Sequence, residues 1–497
     1  MRLIALGALV LLCLAATTVV SALPAPEVGA PPSPPWESGA GSVSQGDLQT
    51  ITTPAAPPTL TLQDALRLGF ANNAGFRFSI ASLLAAQGNL RATSQSYSLT
   101  LLGSTEKNHF SAGEDFTQTD AQALLGVELP FGTTISISAL LNSLDGESTN
   151  ALALSASQPL LRGAGSASSR YEALRQARSS YRGAVLSYFL ARQDLALSII
   201  TGYFGVARTK QQVAIQEQGL ARTEQAAKDA ETRFTEGMTT KIEVARAQLS
   251  LASSRLALNS AKLSYLDAAE RFLKTLGLTV GATPELTSWP LYKPAALDMD
   301  ALTQEALRNR AEVVIADLGL EDAAAALRIS RSNRRPALDL FGSTTSSTDG
   351  DSGADWTLGI QTTIPIGSRA LTEAVRSAER GLLLAQRGRA ELRQSITTEV
   401  GENVRGLQSQ EERIVILQQS LDIAREKLRL ATISVDEGIG VYRDKIEAQE
   451  QVTAAERDLL DAQIAYYFGV LGLRQAVGRD VLQGLEQEVA EAAAAGR

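Results

Sequence analysis

Thiol and imidazole chemistry are nearly missing from this sequence: it has one cysteine, Cys13, and one histidine, His109. A zinc site needs several such ligands, so none is expected. A Ser-His-Asp site would rest wholly on His109, and no G-x-S-x-G elbow lies near it. No catalytic residue and no cofactor are therefore expected. Rings are also scarce, with aromatic residues at 5%. A compact globule of 497 residues would use more of them to fill its core. Basic charge is not in excess either. The net charge is -8, which argues against nucleic acid as a partner, since that needs a basic face. Beyond the first twenty residues no apolar run is long enough to cross a bilayer as a helix. Any membrane-embedded part must then be strands closed into a barrel.

What is present begins with Met1-Arg2 and an apolar run from Leu3 to Val20. Val20-Ser21-Ala22 offers small residues for cleavage after Ala22, so residues 1–22 read as a signal peptide. The alternative is a membrane anchor, but the Pro-rich stretch that follows suits processing better. Leu12 before Cys13 argues against a lipoprotein signal. Residues 23–59 hold many prolines and few large apolar residues, and read as a disordered leader. The Ala- and Glu-rich end, within 481–497, reads as a flexible tail.

Between these lies a sequence used twice. Phe70-Ala71-Asn72-Asn73-Ala74 resembles Leu307-Arg308-Asn309-Arg310-Ala311, and Phe234-Thr235-Glu236-Gly237 resembles Val435-Asp436-Glu437-Gly438. The first offset is 237 and the second 201, so the first copy carries about 36 extra residues between these landmarks. The first repeat spans 60–276, with strands within 95–163 and a long helix pair over 168–276. A linker covers 277–298. The second repeat spans 299–480, with strands within 337–366 and a helix pair over 368–476. Each copy opens with a shorter helix pair, roughly 61–94 and 300–334.

The strand regions alternate at period two. In copy two, strands are expected from Ala337 to Phe341 and from Asp355 to Ile364. Trp356, Leu358 and Ile360 lie on one face, with Thr357, Gly359 and Gln361 on the other. In copy one, Ala123, Leu125, Val127 and Leu129 share a face. The extra residues supply two further runs, Thr133–Leu141 and Ala151–Gln158, which read as an added hairpin. A soluble sandwich would turn its polar face to bulk water, and an outer-membrane barrel would turn it to the lumen. Periodicity alone does not choose. Trp356 and Phe341 are candidates for an interfacial aromatic belt or for ordinary strand packing.

The long helices, about 168–235, 240–276, 368–436 and 441–476, exceed globular lengths and suggest coiled coil. Their heptads are doubled. Ile242, Leu249, Leu256 and Leu263 form one series, and Val244, Leu251, Leu258, Tyr265 and Phe272 another two positions along. Copy two repeats this with Ile414, Leu421, Leu428 and Val435 beside Ile416, Ile423 and Leu430. Two residues turn a helix by about 200°, so each helix has two apolar seams on roughly opposite sides. A two-stranded coiled coil needs only one. Two let helices pack left and right into a tube, though a buried helix in a bundle core gives the same pattern.

This order of elements resembles the TolC-like outer membrane efflux protein family over about residues 60–480. The local signatures are Leu62-Gln63-Asp64-Ala65-Leu66 leading to Asn72-Asn73, Pro159-Leu160-Leu161-Arg162-Gly163, and Arg233-Phe234-Thr235-Glu236-Gly237 with its partner ending at Gly438. The resemblance implies an α+β membrane protein. It is a homotrimer in which four strands per protomer build one 12-stranded transmembrane β-barrel in outer-membrane lipid. A long periplasmic α-helical coiled-coil barrel continues it. A periplasmic adaptor (membrane fusion) protein and an inner-membrane pump dock at the helical tip, and substrates leave by efflux or type I secretion. The alternative is a periplasmic coiled-coil scaffold without a channel.

The tip turns, 233–241 and 434–443, carry the candidate site. The resemblance implies adaptor contact at Arg233, Gly237, Val435 and Gly438. The plainer reading is that both glycines are helix C-caps. It also implies an acidic pore constriction at Glu243, Asp444 and Glu447. A solvated helix face beside Lys241, Arg443 and Lys445 is the alternative. The sequence departs from the family at three points: the extra segment 133–163, Val435 where a tyrosine is common, and Gly440 where an arginine is common. With both added strands in the barrel, a trimer would have 18. Outside it, they would form an external or periplasmic hairpin.

Overall fold

The computed structural model describes residues 59–482, apart from 96, 110–114, 145–146, 280, 282–284, 287–296, 348–353 and 438. The expected signal peptide, the leader up to residue 58, the tail beyond residue 482 and Gly438 lie outside the described residues.

Helix signals in the sequence fix where each helix starts. Thr61 and Asn73 accept hydrogen bonds from the backbone N–H of Asp64 and Phe76, and cap α1 (Leu62–Asn72) and α2 (Ala74–Ser94). Ser168 and Thr240 do the same for α3 (Ser169–Thr235) and α4 (Lys241–Leu276). In the second half α5 (Met299–Asn309) and α6 (Ala311–Asn333) precede α7 (Arg369–Asp436), capped by Ser368, and α8 (Tyr442–Val477). Such caps satisfy N–H groups that have no partner inside the helix. α3 and α7 have 67 and 68 residues, so each extends about 100 Å. α4 and α8 stop at Gly277 and Gly478, both at positive φ. At Gly277 a Cβ would also lie 2.5 Å from the Asn72 carbonyl oxygen.

The helices form a row. α3 packs on α4, α7 on α8, and α3 on α8, which leaves α4 and α7 at the two lateral edges. α1 and α2 pack on α3, and α5 and α6 on α7. Around α3 the core gathers Leu60, Phe76, Ile199, Tyr203, Phe204, Phe272 and Leu276. Tyr203 lies edge-on to Phe204 and Phe272, with ring centroids 5.3 and 6.0 Å away, and its hydroxyl donates to the Leu60 carbonyl at 3.1 Å. A second core under α5 holds Leu302, Ile396, Val400, Leu407 and Tyr466. One expectation is corrected here. α3 contains an 18-residue window of mean hydropathy 1.2, long and apolar enough by composition to cross a membrane. Its apolar character has another cause, because residues 195–207 of α3 supply the core just described.

The doubled heptads separate cleanly. Leu258 and Phe272 of one series are buried inside the chain, whereas Leu249 and Leu256 of the other are each 69% exposed. On α7, Ile414, Leu421 and Val435 are buried, and Ile416, Ile423 and Leu430 are exposed. The first seam holds the protomer together. The second lies unpartnered on each edge helix of the row.

The strands form one antiparallel sheet in the order β2-β3-β4-β5-β7-β8: β2 (Tyr97–His109), β3 (Asp115–Glu128), β4 (Thr134–Leu144), β5 (Glu147–Pro159), β7 (Ala337–Ser347) and β8 (Ala354–Thr363). Separately, β1 (Thr59–Leu60) pairs in parallel with β6 (Glu285–Leu286). The added residues thus form β4 and β5, in the middle of the sheet. β7 continues six residues beyond the expected end at Phe341, because the β8 ladder pairs Ser346 with Ala354 although the alternation of apolar residues has faded. Register places Leu99, Leu125, Ile137, Leu154, Thr344 and Trp356 on the same face. That face is apolar and open: Leu101 is 73% and Trp356 77% exposed. Phe341 pairs with Gly359, three residues along β8 from Trp356, and its ring fills the space above that glycine. The two aromatics therefore point to opposite sides, and no single belt contains both.

Candidate functional site: the helical tip

Both tip turns follow from helix-ending chemistry. α3 ends as Gly237 takes φ 76°, its N–H donating to the Phe234 carbonyl at 3.0 Å. Met238 N–H donates back to the Arg233 carbonyl at 2.7 Å. This six-to-one bond with a left-handed glycine is the Schellman arrangement. At the end of α7, the N–H groups of Ile439 and Gly440 both donate to the Ser434 carbonyl, at 3.0 and 2.8 Å.

Packed side by side, the turns are joined by polar contacts. Arg233 donates to the Val435 carbonyl at 2.6 Å and pairs with Asp436 at 2.9 Å. The Tyr442 hydroxyl donates to the Ala226 carbonyl on α3. Lys445 lies 3.7 Å from the Asp229 carboxylate, with its ammonium 5.8 Å from the Tyr442 ring centroid, within cation–π reach. Burial, reinforced by the Asp229 charge, holds the Tyr442 hydroxyl above its ordinary pKa. Beneath these contacts, Ala226, Ala227, Ala230, Ala247, Val435, Tyr442 and Ile446 form a small apolar cluster. Small alanines let the helices approach closely enough for Tyr442 to reach a backbone carbonyl.

The expected site residues fall into three groups. Val435 is buried in the apolar cluster, so its side chain is not open at the tip surface. Arg233 is engaged with the other hairpin. The apolar residues open in the two tip turns are Phe234, Met238, Ile439 and Val441, of which the last three have no counterpart among the residues singled out from the sequence. Of the acids, Asp444 and Glu447 share one groove between α7 and α8 with Asp422, Glu426 and Lys427. Asp444 is 3.4 Å from Arg443, and Glu447 is 3.4 Å from Lys427. Glu243 stands apart at the start of α4. It pairs with Arg246 at 2.7 Å, and its Oε2 is buried without a hydrogen-bond partner among the described residues.

The family model described as outer membrane efflux protein matches residues 100–278 and 302–479. The chain belongs to the outer membrane efflux protein family. Nodulation protein T of Rhizobium leguminosarum bv. trifolii is 22% identical over 298 residues, covering 58% of this chain and 63% of that protein. Less than two thirds of that relative's length is therefore matched. Among solved structures, the outer membrane protein VceC of Vibrio cholerae superposes with a TM-score of 0.66 at 19% identity, over 84% of this chain and 96% of that one. The CmeC outer membrane channel of Campylobacter jejuni gives 0.64 at 16% identity, over 96% and 99%. At such identity the likeness is one of fold.

Within this outer membrane efflux protein the departures at the tip have a local cause. A Cβ at Gly440 would lie 2.7 Å from the Ser434 Cβ and 2.9 Å from its backbone carbon. The tight turn therefore excludes any side chain, arginine included. The hairpins are held instead through Arg233, Tyr442 and Lys445. The contact of Tyr442 with Ala226 joins residues 216 apart in sequence, and no spacing rule in the sequence exposes it.

Proposed function

We propose that three copies of this chain form an outer-membrane channel, a passive exit duct across the outer membrane and periplasm. The observation that carries this is the matched pair of unfinished edges. α4 and α7 bound the helical row, and each bears an exposed apolar heptad seam. β2 and β8 bound the sheet, and neither has a further strand to pair with among the described residues. Joining edge to edge between copies closes both a helical tube and a barrel, and the threefold count comes from the family resemblance. The internal repeat gives each copy two similar helix pairs, so the tube is near-uniform around its axis. The open apolar face of the sheet favours lipid over the alternative of a soluble scaffold.

In this reading the tip meets a periplasmic adaptor and an inner-membrane pump, in a tripartite efflux pump or a type I secretion system. Met238 and Ile439 offer the contact, with Arg233 and Gly237 shaping it. Glu243, Asp444 and Glu447 from three copies place acids around the bore and favour cations. The duct performs no chemistry on its cargo.

Cross-linking and native mass spectrometry of protein extracted from outer membranes test the main reading. A heat-modifiable trimer that conducts ions in planar bilayers is expected. A soluble periplasmic monomer would refute it. Unchanged cation selectivity in Asp444→Asn/Glu447→Gln would remove the acidic ring, and undiminished adaptor capture by Met238→Asp/Ile439→Asp would remove the contact.

A further inference from the structure

Building on the trimeric channel just proposed, we infer that all six strands of each chain enter the barrel, so that three copies close 18 strands rather than 12. The proposal rests on the inserted hairpin. β4 and β5 do not hang from an edge. They lie between β3 and β7, bonded on both sides, with β4 paired to β3 from Thr134 to Leu144 and β5 paired to β7 from Ala151 to Pro159. They form the connection between β3 and β7 in the strand order of the sheet.

The side-chain pattern agrees with the ladder. Ile135, Ile137 and Ala139 of β4 and Leu152 and Leu154 of β5 register with Val127, Leu125 and Ala123 of β3 on the open apolar face. Ile137 is 42% and Leu152 55% exposed. Behind them lie Ser136, Ser138, Ser155 and Ala153, and the Ser136 and Ser155 hydroxyls meet at 2.6 Å. A hairpin projecting into water would have no reason to keep one face aliphatic and in register with a membrane strand. A pair of barrel strands must do so, because one face meets hydrocarbon.

Barrel diameter grows roughly linearly with strand number, so 18 strands give a barrel about 1.5 times as wide as 12. Barrels of this size hold an aqueous channel rather than a side-chain-filled core. Direction explains how the insertion is accommodated: β3 and β5 run the same way, so either can deliver the chain to α3 and pair antiparallel with β7.

Cysteine accessibility in intact outer membranes tests this, using full-length protein with Cys13→Ser as background. Ile137→Cys and Leu152→Cys should lose labelling by a water-soluble maleimide and show quenching by a lipid-dissolved quencher. Ser136→Cys and Ser155→Cys should label. If all four label while Leu99→Cys and Leu358→Cys stay protected, the hairpin lies outside the barrel and the 18-strand proposal fails alone. If Leu99→Cys and Leu358→Cys label as well, the membrane-channel reading fails. Electron microscopy of the purified trimer supplies a second readout, about 1.5-fold in barrel diameter against a variant lacking residues 131–159. Equal diameters would overturn the proposal.

Discussion

The helical row and the sheet solve opposite problems with the same chain. The row buries one heptad series inside the protomer and keeps the second for its edges. Rings such as Tyr203, Phe204 and Phe272 stack into a core that one copy completes by itself. The sheet has no such core. Leu101, Leu152, Trp356 and Ile360 stand open on one face, and the other mixes Ser136, Ser138 and Ser155 with Leu102, Leu140 and Phe341. The row is therefore a body whose core one copy completes. In the channel proposed above, the sheet needs both a lipid and a neighbour. Where the chain buries its apolar residues tells which parts it finishes alone.

Five changes probe that difference. Phe272→Ala, in the row's own core, is expected to cost about 3–5 kcal/mol, read as a lower urea midpoint of the helical signal. Ile137→Arg, on the open face of the sheet, is expected to cost about 2–4 kcal/mol in lipid. Ser138→Arg, one residue on and facing the other way, should cost far less. Equal penalties in vesicle-folding titrations would erase the distinction between the two faces. Tyr442→Phe removes one buried hydrogen bond, so about 0.5–1.5 kcal/mol is expected. Its pH profile is more telling. Tyr442 is held neutral above its ordinary pKa of 10.0 when folded. The unfolded chain releases that proton first, so its contribution is present below pH 10 and is lost as pH rises further. The variant should lack that alkaline component. Smallest for the protomer is Leu249→Ala on the free seam, within about 0.5 kcal/mol because the residue is exposed. Native mass spectrometry should nevertheless show fewer trimers, and an intact trimer population would deny the seam its role.

Legibility in the sequence followed the range of the physics involved. Helix starts are local, and Ser168, Thr240 and Ser368 mark them to within a residue. Heptad spacing is also local, and it disclosed both seams, although only burial shows which one the protomer uses. Strands were harder. β2 carries Gly103-Ser104-Thr105-Glu106 in its middle, where alternation fails and only the ladder with β3 identifies a strand. The face of Phe341 was invisible until its register with Gly359 was known. At the tip, Arg233 was noticed for its motif, while its partners Val435 and Asp436 lie 202 and 203 residues away. Tyr442 gave no signal, because what it binds is a backbone carbonyl. Gly440 was legible as a departure and became intelligible only when the space around it was known.

The unpaired edges of β2 and β8 have a consequence for how the molecule comes into being. Backbone groups left open in hydrocarbon are costly, so a single chain has no comfortable intermediate inside a membrane. Its two helix pairs, α3 with α4 and α7 with α8, can form early from contacts close in sequence. Its sheet must wait for company. In the proposed trimer, assembly is then the last step of folding rather than something that follows it, and its rate rises with the local density of newly delivered chains. Until the ring closes, each copy carries two sticky strand edges of the kind that drive misassociation.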